Sequence, residues 1–135
     1  MKDFQFIGYT LLQTTAITSI VSTRVYHGYI PETVTSKPVI NYYQLSGPGR
    51  GYGMETKTFT INCRATDPAV ARDLGDKVVS LFGGAEGMGT YGYSSSFSIA
   101  RASVVRDNGL ILEDESDSYN VPIDVLIVYS RDTVS

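Results

Sequence analysis

The chain has 135 residues, enough for one domain with a buried core and too few for two. Hydrophobic residues make up 42% and charged residues 19%, which excludes a disordered tail, and a net charge of −3 argues against wrapping nucleic acid by broad phosphate neutralisation. One cysteine, Cys63, and one histidine, His27, exclude an internal disulfide framework, a multi-cysteine zinc site, a paired Cys/His zinc finger and a three-histidine cluster.

Met1–Tyr9 mixes Lys2 and Asp3 with Phe4, Phe6 and Ile7 and lacks the long apolar run of a secretory signal. No run of about 18 apolar residues occurs either, so a chain kept in a reducing cytoplasm is expected. The first element reads as helical: Phe4, Ile7, Leu11 and Leu12, then Ile17, Ile20 and Val21, recur at helical spacing. Gly8 and Thr14-Thr15 weaken its middle, which predicts a broken helix or two short ones over about residues 3–22. Val25-Tyr26-His27-Gly28 reads as a short extended piece before a loop to Lys37.

Pro38 opens a β-rich run, Val39–Leu45, at a position where a missing N–H costs only a terminal hydrogen bond. Four glycines then alternate through Gly47–Gly53, and a loop over about residues 46–55 is expected. Thr56–Ala65 alternates cleanly, with Phe59, Ile61, Cys63 and Ala65 on the core side and Thr58, Thr60, Asn62 and Arg64 opposite. Asp67-Pro68 is the best helix start in the chain, since Asp67 caps free N–H groups and proline loses nothing at the first position. Val70, Leu74, Val78, Leu81 and Phe82 form the apolar stripe of that helix, and Gly83-Gly84 ends it.

A second glycine-rich loop is expected over about residues 83–93, followed by a strand from Tyr93 to Arg106. Asp107-Asn108-Gly109 predicts a type I′ hairpin turn, with Leu110-Ile111-Leu112 returning from it. Glu113–Asp117 reads as an exposed acidic loop, and the last strand alternates from Tyr119 to Tyr129, with Pro122 pointing to an edge position or a bulge. Strands grouped in hairpins beside two helical segments predict one α+β domain over residues 1–135. In it, helices pack on one face of an antiparallel β-sheet of four to five strands.

Catalytic and metal chemistry is sparse. Gly87–Gly92 matches G-x-G-x-x-G literally, but it follows a helix and precedes a strand, the reverse of the context a dinucleotide needs. Glu113, Asp114, Glu115 and Asp117 lack the alternating donors and central glycine of a calcium loop. No G-x-S-x-G nucleophile elbow accompanies His27, which reads as a surface histidine, and Cys63 reads as a buried, unreactive thiol. No metal or cofactor is expected. Ten tyrosines and no tryptophan remain, several of them in or beside the two glycine-rich segments. Tyrosine supplies large contact area with few rotatable bonds, so Arg50, Tyr52, Met54, Met88, Tyr91 and Tyr93 are the candidate interface residues.

The pattern as a whole resembles the tail-terminator (tail-completion, head–tail joining) proteins of long-tailed bacteriophages. The resemblance is carried by the N-terminal helix leading to Ile17–Val21 and Arg24-Val25-Tyr26 and by the closing segment Pro38-Val39-Ile40-Asn41-Tyr42. It continues in the strand Phe59–Ala65, the helix Asp67–Phe82 and a terminal strand, so that it spans about Leu11 to Tyr129. It implies a non-enzymatic virion protein, assembled in the host cytoplasm, that forms a ring, usually of six copies, on the finished tail tube. Such a ring contacts itself, the tail-tube protein and the head-side connector or stopper, and double-stranded DNA passes through its lumen without sequence recognition.

The charge distribution suits a repeated head-to-tail interface: residues 1–66 carry six basic and three acidic side chains (+3), residues 67–135 five and eleven (−6). A strand such as Tyr119–Tyr129 at the sheet edge would pair with a neighbour. Lumenal acids would let DNA slide, which makes Glu113, Asp114, Glu115 and Asp117 the candidate lumen-facing residues. The alternatives are another neck ring, such as a head-completion stopper or connector adaptor, and a small-molecule-binding α+β domain with the Gly/Tyr loops as a lid. A nucleic-acid module requires Arg64, Arg101 and Arg106 on one face.

Overall fold

A computed structural model of the chain describes residues 5–31, 37–51, 54–83, 97–113 and 118–131. The elements in chain order are α1 (Gln5–Gln13), α2 (Thr15–Val21), β1 (Val25–His27), β2 (Val39–Gly51), β3 (Met54–Ala65), α3 (Pro68–Gly83), β4 (Phe97–Asp107), β5 (Ile111–Glu113) and β6 (Ser118–Arg131). The strands form one six-stranded sheet in the order β1-β2-β3-β6-β4, with β5 also paired to β6. Ile7, Leu11, Ile17 and Val21 from the first two helices and Ala71, Leu74, Val78 and Phe82 from α3 join one buried cluster. Its sheet side consists of Ile40, Phe59, Ile61, Cys63, Val121, Ile123, Val125 and Ile127. All three helices therefore cover the same face of the sheet, as the α+β reading requires.

The break between the first two helices falls at Thr14, whose extended backbone separates two short helices that could not persist without packing against the sheet. Ser22 closes α2 with φ 58°, and its N–H reaches the Thr18 carbonyl at 2.8 Å. The start of α3 follows the capping expectation: Asp67 Oδ1 accepts from Ala69 N at 2.9 Å.

The Arg24-Val25-Tyr26 and Pro38–Tyr42 segments, far apart in sequence, form the parallel β1–β2 pair, with Val25 opposite Ile40 and His27 opposite Tyr42. Arg24 Nε donates to the Pro38 carbonyl at 2.8 Å, and Asn41 Nδ2 to the Gly28 carbonyl at 2.6 Å, closing both ends of this pair. The sheet thus exceeds the expected four to five strands and carries one parallel pair, because β1 and β5 each add three residues to it.

Three local expectations change. The segment expected as a glycine-rich loop over 46–55 is built largely into strand backbone: β2 runs to Gly51 and β3 starts at Met54. Register shifts after Gln44 and Ser46 absorb the irregular residues there. Second, Asn108-Gly109 does not reverse the chain. β4 and β5 lie end to end along the same side of β6, and the reversal comes between Glu113 and Ser118, which are register partners. Only Gly109 has a positive φ, 76°, whereas a type I′ turn needs Asn108 positive as well.

Third, β6 is not an edge strand. It lies inside the sheet, with β3 on one side and β4 and β5 on the other. Pro122 is accommodated there by the gap between β4 and β5. Its carbonyl accepts from Asn108 N at 3.0 Å, and the N–H and C=O of a strand residue point to the same side, so its missing N–H falls at the interruption. The edge reading of Pro122 does not hold, and the register shifts along β6 fall opposite Ile99/Arg101 and Val104/Arg106 of β4 rather than at Pro122.

Candidate assembly surfaces

Opposite the helices, no described element covers the sheet, and a cluster of polar side chains lies on that face. Residues directly across from each other on neighbouring strands share a face, which brings Asn41, Asn62, Thr60, Asn120 and Asp124 to this side. All five are buried. Burial of such groups requires hydrogen bonds. Thr60 Oγ1 donates to Asp124 Oδ1 at 2.8 Å, Asn120 Nδ2 donates to Asn62 Oδ1 at 3.0 Å, and Asn120 Oδ1 alone among the described buried side-chain atoms lacks a partner.

Arg64 organises one end of this face. Its Nε and Nη2 reach Glu113 Oε1 and Oε2 at 2.8 and 3.2 Å, and its Nη1 donates to Asn41 Oδ1. The network links the Gly28 carbonyl, β2, β3 and β5, and it compensates the charge of Glu113. A second ion pair fixes the other face: Arg72 of α3 reaches Asp107 at the end of β4 at 2.6 Å and Asp76 at 2.9 Å. The Arg72 guanidinium, by its hydrogen bond, holds the Asp107 carboxyl below its usual range against the opposing effect of desolvation, and the Gly109 N–H adds to the lowering.

The flanks of the sheet are the remaining surfaces. β4 has no described strand beyond it. On the opposite flank β1 covers only Ile40–Tyr42 of β2, so β2 from Tyr43 onward has no described strand on its outer side.

Of the candidate interface residues, Arg50 and Met54 lie at the end of the β2–β3 hairpin, where the backbone of Arg50 is in register with Glu55 and that of Met54 with Gly51. Tyr52, Met88, Tyr91 and Tyr93 lie outside the described residues, as does the Gly87–Gly92 motif. Of the candidate lumenal acids, Glu113 sits on β5 in the Arg64 ion pair, and Asp114, Glu115 and Asp117 lie outside the described residues. Arg64 is therefore engaged within the fold, while Arg106 is exposed on β4.

Cys63 is fully buried, and desolvation pushes its thiol well above the usual range. His27 is exposed, with its ring 5.3 Å from that of Tyr42. Among the described residues no three His, Cys, Asp or Glu side chains come together as a metal site, and no helix is long and apolar enough to cross a membrane. Sequence reasoning missed the buried polar face. Alternation identifies Thr60 and Asn62 as lying away from the core, but nothing local shows that neighbouring strands bury them.

No protein-family model matches the chain, and no curated protein matches it. Among solved structures, its fold is shared by a chain in the virion of a native gene transfer agent (GTA) particle. The TM-score is 0.63 at 16% sequence identity, over 92% of this chain and 90% of that one.

Proposed function

We propose that this chain is a non-enzymatic virion structural protein, a tail terminator whose copies, six in number, close a ring on the head-proximal end of a tail tube. In this reading the ring ends tube growth and joins the tail to the head-side connector or stopper, and double-stranded DNA passes through its lumen. The observation that carries the reading is the fold match to a virion chain, which extends over nearly the full length of both chains rather than over a shared substructure. The resemblance of the Arg24-Val25-Tyr26 and Pro38–Tyr42 segments to the tail-terminator pattern agrees with it, since these segments are neighbours in the sheet. A sheet with helices on one side and, among the described residues, no strand beyond β4 also suits a subunit that repeats around an axis.

The hairpin end with Arg50, Tyr52 and Met54, and the segment with Met88, Tyr91 and Tyr93, are the proposed contacts to tube or connector. The run Glu113–Asp117 is the proposed lumen lining. With Glu113 compensated by Arg64, the repulsion of DNA rests on Asp114, Glu115 and Asp117.

Negative-stain microscopy of the purified protein, alone and mixed with tail tubes of the same virus, tests the reading. Rings, or caps at one end of the tubes, are the expected result. A protein that stays monomeric and leaves the tubes bare overturns it. Within an assembled ring, acids of the Glu113–Asp117 run on the outer rim would remove the lumenal assignment.

A further inference from the structure

The chain has four asparagines. Asn41, Asn62 and Asn120 are buried within strands and precede Tyr42, Cys63 and Val121, whose side chains crowd the next peptide nitrogen. Asn108 differs on every count. It is exposed, lies between β4 and β5 rather than in a strand, and precedes Gly109. The backbone nitrogen that follows an asparagine can attack its side-chain Cγ, and a Cβ on that next residue obstructs the approach. Gly109 has none, and the space beside it is open: a Cβ built there would meet nothing within 4 Å.

The same corner also holds the reacting atoms back. Gly109 N donates to Asp107 Oδ1 at 3.0 Å, so the nitrogen that would attack has its proton engaged by a carboxylate. Asp107 is in turn fixed by Arg72, at 2.6 Å. Asn108 Nδ2 donates to the Pro122 carbonyl at 3.0 Å and lies 3.5 Å from Asp124 Oδ2, which restrains Cγ. Hydrogen bonds to charged acceptors are the strong ones, so the Asp107 contact is the principal restraint.

We propose that Asn108–Gly109 is a site of self-modification by imide formation and hydrolysis, and that the Asp107 carboxylate restrains it in the folded chain by holding the Gly109 N–H. In the first step Gly109 N loses its proton and bonds to Asn108 Cγ, the Cγ–Nδ2 bond breaks, and the amide nitrogen leaves as ammonia. Water then opens the cyclic imide at either carbonyl and leaves aspartate or isoaspartate, with no change of oxidation state. The product carries a carboxylate where Nδ2 now donates, close to Asp124, and the Pro122 carbonyl loses a donor. Isoaspartate also lengthens the backbone by one atom. Both changes loosen the corner that joins β4 to β5, and the site stands independently of the ring reading.

The test incubates the full chain in mildly alkaline buffer, folded or unfolded in guanidinium chloride, and follows each asparagine by peptide mapping and mass spectrometry. In the unfolded chain Asn108 should convert before the other three. The folded chain should convert about tenfold more slowly or less, the effect of one hydrogen bond to a charged group. Asp107→Ala should restore most of that rate in the folded chain. Arg72→Ala loses the same ion pair but leaves Asp107 to accept from Gly109, and should accelerate conversion far less. Both side chains are partly exposed, and circular dichroism under the assay conditions checks that each variant is folded. Equal rates in the folded and unfolded chain, or no acceleration by Asp107→Ala, would overturn the restraint. Equal acceleration by the two variants would overturn it as well, because opening of the whole fold would then set the rate. An unfolded chain that keeps Asn108 intact would overturn the site itself.

Discussion

Replacing Gly75 with alanine tests how closely α3 approaches the sheet. Gly75 is buried in mid-helix, and a Cβ placed on it would lie 2.7 Å from Val121 Cγ1 and 3.2 Å from Val121 Cβ. Carbon atoms in optimal contact stand about 3.5–4.0 Å apart, so the first contact is short by about 1 Å. Val121 cannot easily yield. It is fully buried, its branched side chain is stiff, and its backbone is held opposite Cys63 in the β3–β6 ladder. Arg72 Nη2, 3.2 Å from the new methyl, can move, but its movement would disturb the 2.6 Å pair with Asp107.

Helix propensity favours alanine by about 1 kcal/mol. Overpacking of a filled core costs about 1–3 kcal/mol. Gly75→Ala should therefore destabilise the monomer by about 1 kcal/mol on balance, seen as a lower urea midpoint with an unchanged m-value. In a Val121→Ala background the clashing methyl is gone, and the same glycine substitution should become neutral or stabilising. A coupling of about 1 kcal/mol or more between the two sites is expected from a double-mutant cycle. A higher midpoint for Gly75→Ala in the otherwise unaltered chain would refute the close approach.

Three further outcomes follow from particular contacts. Arg64→Met removes the guanidinium that Glu113 and Asn41 share and should cost about 1–2 kcal/mol in chemical denaturation, with part of the loss recovered by adding Glu113→Met; no change in midpoint would show that the network contributes nothing. Asp107 has its folded carboxyl held below the usual range, so its contribution is present above the unfolded value near 3.8 and is lost as pH falls through the lower folded value. The midpoint difference between the native chain and Asp107→Asn should therefore be full near neutrality and shrink below about pH 4, and a difference independent of pH would contradict the pairing with Arg72. Ser22→Gly should raise stability by about 1 kcal/mol in thermal melts, because φ 58° at this exposed position strains any residue with a Cβ; a lower melting temperature would refute the strain.

The parts of this fold legible in the sequence were those governed by local rules. Asp67-Pro68 announces α3 because a cap and a tolerated proline act within one turn, and Phe59–Ala65 announces a strand because alternate side chains must face one way. Thr14 divides the N-terminal helices and Val25–His27 is extended, both readable from nearby residues. Tertiary structure decided what depends on partners far along the chain. Asn108-Gly109 has turn chemistry, yet the long β6 strand pairs with both β4 and β5 and turns that corner into an interruption beside Pro122. Gly8 reads as a weak point in a helix, whereas a Cβ there would come within 2.6 Å of the Tyr42 hydroxyl from β2.

The candidate site divides in the same way. That Glu113 is acidic and Arg64 basic is a property of the sequence, but their pairing across 49 positions, and the burial of Asn41, Asn62 and Asp124 on the face away from the helices, came only from strand order. The charge split between the two halves of the chain was already visible in the sequence. Only the topology set the strands of the two halves on opposite sides of one sheet, because β3 pairs with β6.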